Sequence, residues 1–351
     1  MNRAPLVSLP PELTEPRAQS DARFILGVDG GATKTLAAVL DLRSERLYLG
    51  HGGPSNEDAV GVDAARAALV DSAEQAVEAA GIDDEQLGAA VLAIAGTNTD
   101  SVATHVHARN SSWIVVNDVV GAWAMATGAA DGVAVISGTG SNVFGVGPRG
   151  SWRAGGWGHV LGDEGSGYWL GVESIRAALR EREASGPATA LSEALTQFFE
   201  TDSVEALASR VYSQPLTKRD IASFAIEAAR VAEEGDAIAR GLFEAGAREL
   251  AGQISAVIAQ TGLADSAFPV GLIGSVFKTG ALYIEPLAAA IHESAPRAAV
   301  APVEAPPAGG SLLLAARACG QGDRIDVTGV TRLLEQASDG GGGEKLAAPV
   351  R

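Results

Sequence analysis

Phe24 to Leu40 reads F-I-L-G-V-D-G-G-A-T-K-T-L-A-A-V-L. Two short apolar runs, Phe24 to Val28 and Leu36 to Leu40, flank a glycine-rich polar segment of about seven residues, which is hairpin length. The stretch predicts strand, turn, strand. Gly30 and Gly31 let the backbone approach a ligand with no Cβ in the way, while Thr33, Lys34 and Thr35 bring hydroxyls and an ammonium to the same turn. That chemistry suits a phosphate. Asp29 closes the first strand, and its carboxylate would repel a phosphate unless a divalent cation lay between them, which points to magnesium held through water. An ordinary hairpin with a glycine turn is the plainer alternative for this stretch alone. The turn matches neither G-x-x-x-x-G-K-[ST] nor a helix-opening G-x-G-x-x-G.

The design occurs twice. Val133 to Ile136 leads into S-G-T-G-S-N at Ser137 to Asn142 and on to Val143, Phe144, Gly145 and Val146, again strand, glycine-threonine turn, strand. One such turn can be an accident of composition. Two of them, each between strands, predict two related lobes that face a shared nucleotide. A third small-residue turn, Gly274-Ser275-Val276, ends the strand-like run Phe268 to Ile273. Between the two hairpins, Ala89 to Ala95 and Trp113 to Val116 are continuous apolar runs ending at Gly96-Thr97-Asn98 and Asn117-Asp118. Polar residues after buried strands mark the edge where open α/β sheets bind ligands. Gly52 to Asp58 is a turn-rich loop whose Asn56 amide can bond sugar hydroxyls or serve as a turn or cap.

Helical spacing covers Asp63 to Ala80, with Asp63 as N-cap and Gly81 as stop. It recurs over Gly121 to Thr127, from beyond Gly162 through Arg182, over Ser192 to Phe199, Asp220 to Glu233 and Ala237 to Gln260, and over Leu312 to Ala318 after the Gly309-Gly310-Ser311 turn. Ala298 to Ala301 carries a weak strand signal. Prolines at 5, 10, 11 and 16 make 1–21 a flexible extension, and Gly340 to Gly343 marks a flexible tail.

At 351 residues the chain is long enough for two well-buried cores. Its 26 basic and 43 acidic residues give a net charge of -17, a field that repels nucleic acid and anionic membranes. Cys319, the single cysteine, excludes an internal disulfide and a cysteine-ligated cluster, and reads as a buried structural thiol. The sequence has no continuous apolar stretch of membrane-spanning length and no basic-then-apolar leader, so a cytoplasmic location is expected.

With these turns in place the chain resembles the N-acetylglucosamine kinase branch of the benzoyl-CoA reductase activator (BadF/BadG/BcrA/BcrD-type) ATPase family, within the actin, heat-shock chaperone and hexokinase superfamily. The resemblance runs from about Phe24 to Gly320. It rests on D-G-G-A-T-K-T at Asp29 to Thr35, P-S-N at Pro54 to Asn56, Asn117-Asp118, S-G-T-G-S-N, G-G-W-G-H-V-L-G-D-E-G-S at Gly155 to Ser166, G-S-V-F-K at Gly274 to Lys278, and P-A-G-G-S at Pro307 to Ser311. The long G-G-W-G-H block is the specific one. The family implies an α/β, two-lobed actin-like or ribonuclease H-like ATPase fold, each lobe a mixed sheet flanked by helices, with nucleotide and sugar in the cleft. The expected division is a first lobe of 22–121 plus 311–336, a second lobe of 122–310 and a tail of 337–351.

The resemblance also implies ATP and magnesium as cofactors and an amino sugar as substrate, with a second copy of the chain as an open alternative among partners. Thr33 and Thr139 would contact the ATP phosphates, with Gly30, Gly31, Lys34, Gly274 and Ser275 beside the nucleotide. Asn56, Asp118, Ser141, Asn142, Gly155, Gly156 and Asp163 would hold the sugar. Two positions depart from the pattern. Ala32 stands where a third glycine is common, stiffening the phosphate turn, and Val119 replaces a smaller residue, altering pocket width.

The residues themselves fit phosphoryl transfer to a hydroxyl. That reaction needs an acceptor oxygen held in line and a group to take its proton, and Asp118, a carboxylate at a strand end, suits both. Asp163 can accept bonds from neighbouring ring hydroxyls, or else cap a helix. Trp157 and His159 read as packed core residues rather than as catalytic groups. The expected activity is phosphorylation of the 6-hydroxyl of N-acetylglucosamine, with glucosamine or N-acetylmuramic acid as alternatives. An ATPase that activates a partner through a bridging iron-sulfur cluster needs cysteines the chain lacks. An actin-like or chaperone-like ATPase is disfavoured by the P-S-N and G-G-W-G-H-V-L-G-D blocks.

Overall fold

The computed structural model describes residues 9–14, 20–31, 33–96, 100–213, 216–306 and 308–340. The chain divides into two compact units, one of 8–130 with the segment from 304 onward, the other of 131–303. In the first, β1 (Phe24–Gly30), β2 (Thr35–Asp41), β3 (Arg46–Gly52), β4 (Leu87–Ile94) and β5 (Ile114–Asn117) form one sheet in the order β3-β2-β1-β4-β5. β1, β2 and β3 are antiparallel, whereas β4 and β5 run parallel to β1.

The second unit repeats this plan. β6 (Gly132–Ser137), β7 (Ser141–Gly147), β8 (Gly150–Gly155), β9 (Phe268–Ile273) and β10 (Ala298–Pro302) lie in the order β10-β9-β6-β7-β8, with β6, β7 and β8 antiparallel and β9 and β10 parallel to β6. The duplication expected from two turns is therefore a property of both whole sheets.

β1 is apolar from Phe24 to Val28 because helices cover both of its faces. Leu26 and Val28 belong to a buried cluster with Leu69 and Ala73 of the Val62–Ala80 helix. On the other face a Cβ at Gly27 would lie 2.7 Å from the Leu312 nitrogen, so the Gly309–Ala318 helix sits directly on the strand. Ser311 fastens that helix, its Oγ donating to the Val28 carbonyl at 2.7 Å. In the second unit Val133, Val135 and Val143 pack with Leu250, Ile254 and Val257 of the Ala237–Thr261 helix.

Several boundaries differ from expectation. The break expected after Gly121 falls inside the Asp118–Thr127 helix, which packs as one piece against β4 and the Gly309–Ala318 helix. The Val62–Ala80 helix is headed by Gly61 rather than Asp63, and Gly81 ends it in the left-handed conformation. The helix expected over Asp220 to Glu233 is two pieces, Lys218–Ser223 and Ala225–Glu233, joined at the buried Phe224. Gly309 and Gly310 open the last sheet-covering helix instead of preceding it. β3 and β8, which carry no sustained apolar run, and the helices Asp100–Arg109, Val204–Ser213 and Val327–Gly340 lie outside the elements expected from the sequence. Within 1–21, the Pro11–Thr14 helix buries Leu13 completely. Ala32, Thr97, Asn98, Pro307, most of 1–21 and the tail beyond 340 lie outside the described residues.

Candidate functional site

Parallel register places the first unit's candidate residues on one edge. Gly30 of β1 pairs with Ile94 of β4, and Ile94 pairs with Asn117 of β5, so Asp29, the Gly30–Lys34 turn and Asp118 all emerge at the carboxyl edge of the sheet. The Ser55 amide donates to the Gly31 carbonyl at 3.0 Å and Thr35 Oγ1 donates to the Gly53 carbonyl at 2.7 Å, which ties the P-S-N loop to the glycine turn. Asn56 then starts the short Glu57–Val60 helix, its carbonyl accepting from the Ala59 and Val60 amides. Thr33 and Lys34 are exposed.

Asn117 rather than Asp118 ends the strand and caps the following helix, its Oδ1 accepting from the Val119 amide at 3.3 Å and its Nδ2 donating to the Gly96 carbonyl at 3.1 Å. Asp118 is the first helical residue and half-buried, where the positive end of the helix favours a carboxylate. Val119 is fully buried. Burial pushes the Asp29 carboxyl up to about 6, opposed by the charge of Lys34. Among the described residues no cluster of three or more His, Cys, Asp or Glu side chains can hold a metal by itself. A lone carboxylate made costly by burial fits a magnesium ion that keeps most of its shell for water and phosphate oxygens.

In the second unit the Gly138–Gly140 turn closes on itself, the Gly138 amide donating to the Gly140 carbonyl at 3.0 Å, and leaves Thr139 exposed. β6 and β9 end together, Ile136 beside Ile273, which brings Gly274 and Ser275 against this turn. Ser141 and Asn142 begin β7 and are buried. The Ser141 amide donates to Asp163 Oδ1 at 3.1 Å and its hydroxyl donates to the Glu164 carbonyl at 2.8 Å, so the start of β7 and the D-E-G-S loop are joined. Arg153 of β8 donates from Nε to Asn142 Oδ1 at 3.1 Å and from Nη2 to the Gly156 carbonyl at 2.8 Å, holding the Gly155-Gly156 end of β8 beside Asn142.

Asp163 is 3 % exposed and has a left-handed backbone, φ +64°, a conformation that costs about 1–3 kcal/mol in a non-glycine residue and persists only where surroundings enforce it. Its loop is pinned at Gly165, whose carbonyl accepts from Ser137 Oγ at 3.0 Å and from the buried Tyr283 hydroxyl at 2.7 Å. Desolvation raises that phenol above its usual range, so it stays a donor. Asp163 is not a helix cap. Ser166 caps the Gly167–Arg182 helix, accepting from the Trp169 amide at 3.2 Å. Trp157 and His159 are not core residues either: the glycines at 155, 156 and 158 have positive φ, the block is a loop, and Trp157 stands half-exposed while His159 is exposed with its ring edge-on to Tyr168.

Arg153, Gln253 and Lys218 were not legible as site residues. Gln253 Nε2 donates to Glu164 Oε2 at 3.0 Å, and its Oε1 lies where a Cβ at Gly155 would come within 2.4 Å. Lys218 Nζ lies 2.6 Å from Asp163 Oδ2. Each reaches the loop from a separate element, with no motif to mark it.

A family profile described as the BadF/BadG/BcrA/BcrD ATPase family matches residues 26–315. The N-acetylmuramic acid/N-acetylglucosamine kinase of Clostridium acetobutylicum is 32% identical over 67% of this chain and 79% of its own length. The N-acetyl-D-glucosamine kinase of Dictyostelium discoideum is 29% identical over 83% of this chain and 97% of its own. The crystal structure of a candidate N-acetylglucosamine kinase from Chromobacterium violaceum shares the fold with a TM-score of 0.66 at 24% identity, covering 84% of this chain and 100% of that one. No helix among the described residues is long and apolar enough to cross a membrane.

Proposed function

Because the chain belongs to the BadF/BadG/BcrA/BcrD ATPase family, we propose that it is an ATP-dependent kinase transferring the γ-phosphoryl group of ATP to the 6-hydroxyl of an amino sugar, with N-acetylglucosamine as the preferred acceptor. The observation that carries this reading is the carboxyl edge of the first sheet, where parallel register aligns the end of β1 with that of β5, next to Asp118, and the Ser55 amide ties the Asn56 loop to the glycine turn. Relatives that act on N-acetylglucosamine and N-acetylmuramic acid support the substrate class.

In this reading Thr33 and Lys34, with the close backbone approach that Gly30 and Gly31 allow, hold phosphate oxygens, as do Thr139, Gly274 and Ser275. Asp118 orients the acceptor hydroxyl and receives its proton, the usual part of a carboxylate in phosphoryl transfer to an alcohol. Asn56, Ser141, Asn142, Gly155, Gly156 and Asp163 bind and orient the sugar. Asp29 would hold magnesium through water, and the ion would supply charge neutralisation on the phosphates.

The test is ADP release by the purified protein with ATP, magnesium and, in separate reactions, N-acetylglucosamine, glucosamine and N-acetylmuramic acid. The expected result is release that depends on N-acetylglucosamine, with the sugar 6-phosphate identified by mass and NMR. ADP release unaffected by every sugar would overturn the kinase reading.

A further inference from the structure

Lys218 lies far in sequence from every motif above, yet its ammonium is 2.6 Å from Asp163 Oδ2. A Cβ on Gly140 would come 2.9 Å from the same nitrogen and 2.8 Å from Asp163 Oδ1, so the ammonium and the carboxylate stand together over the Ser137–Ser141 turn. The lysine is held to this place from its own side. It is the first residue of the Lys218–Ser223 helix, whose N-cap Thr217 and Asp220 form a reciprocal capping box, the Asp220 amide donating to Thr217 Oγ1 at 3.1 Å and the Thr217 amide donating to Asp220 Oδ2 at 2.8 Å.

The pair is unequal in burial. The Asp163 side chain is 4 % exposed and that of Lys218 33 %. A buried carboxylate without a partner is costly, whereas the lysine remains hydrated. Oδ1 is fixed by the Ser141 amide and Oδ2 by the ammonium. A carboxylate offers about four acceptor positions, so the Ser141 amide and the charge of the Lys218 ammonium hold its plane and leave lone pairs for a ligand.

We propose that Lys218 is a positioning residue for the sugar: it fixes the Asp163 carboxylate over the Ser137–Ser141 turn, so that two of its lone pairs stay aimed at ring hydroxyls. This deepens the kinase reading and rests on its assignment of Asp163 to the sugar. Lys218 acts through Asp163, whose Oδ2 lies 2.6 Å from its ammonium.

The experiment is a double-mutant cycle on the full chain, with Lys218→Met, Asp163→Asn and both together, measured as KM for N-acetylglucosamine, KM for ATP and kcat. Lys218→Met should raise the sugar KM about 10- to 100-fold, as loss of the charge partner of a buried carboxylate, with kcat and the ATP KM changed less than about threefold. In the Asp163→Asn background the same substitution should change the sugar KM by less than about twofold, since its target is gone. Lys218→Arg should keep the sugar KM within about fivefold, because an arginine also bonds a carboxylate. A sugar KM unmoved by Lys218→Met, or multiplicative effects in the double mutant, would overturn the proposal. Should Lys218→Met fail to fold, a 10-fold or larger rise in sugar KM for Lys218→Arg with normal melting would also count against it. An Asp163→Asn protein with parental sugar KM would instead refute the assignment of Asp163, a separate result from failure of the lysine.

Discussion

Gly274→Ala tests the nucleotide side of the site at a position where the geometry permits a magnitude. Gly274 has φ +125° and ψ 171°, and a Cβ there would lie 2.2 Å from the Ser137 carbonyl oxygen, 2.6 Å from its carbon and 3.2 Å from the Gly138 nitrogen. The obstacle is backbone, so no side-chain rotation relieves it. Either the residue keeps its conformation at about 1–3 kcal/mol of strain, or β9 and the Gly138–Gly140 turn part by about 1 Å. A displacement of that size lengthens hydrogen bonds beyond their useful range, so the substitution should weaken binding of a non-hydrolysable ATP analogue by about 10-fold or more, 1.4 kcal/mol per factor of ten. A loss of about 2 kcal/mol should also lower the melting temperature by about 4–8 °C for a unit of this size. Calorimetric titration with the analogue and scanning calorimetry of the free protein read the two effects. Gly252→Ala is the control, since a Cβ there meets nothing within 4 Å in the interior of the Ala237–Thr261 helix. An analogue affinity within twofold of the parent, with melting unchanged, would refute the reasoning that these two turns form one nucleotide-binding surface.

Asp118→Asn keeps the shape of the side chain and removes the proton acceptor, so kcat should fall by about 10²- to 10⁴-fold with little change in nucleotide affinity. A rate within about threefold of the parent would exclude Asp118 as the base. At the edge of the first sheet, Arg23 donates to both oxygens of the buried Asp41, at 3.1 Å from Nε and 2.7 Å from Nη2, and holds that carboxyl well below the usual carboxylate range. Its contribution is complete above about pH 4 and disappears as the pH falls and the carboxylate is protonated, so Arg23→Met should lower stability near neutrality and flatten the acid limb of stability measured by urea unfolding. An acid limb as steep in the variant as in the parent would sink that attribution.

The sequence by itself determined the two-fold repeat, because strand-turn-strand is a local signal: short apolar runs around glycine and threonine are legible without knowing what they pack on. The same holds for β9, a continuous apolar run, and for the long Ala237–Thr261 helix. It also picked out Asp118 and Asp163 as carboxylates beside turns, although only the fold decided what surrounds them. β3 and β8 went unread because R-L-Y-L-G-H-G and G-S-W-R-A-G owe their conformation to pairing with β2 and β7 rather than to propensity. Trp157 and His159 were misjudged for a related reason: large side chains suggest a core, but three glycines with positive φ turn the block outward. The partners of the sugar-side loop belonged wholly to tertiary structure. Arg153, Lys218 and Gln253 come from an edge strand and two different helices, and a lysine in a polar helix start gives no sign in sequence that a buried carboxylate more than fifty residues earlier depends on it for its charge partner.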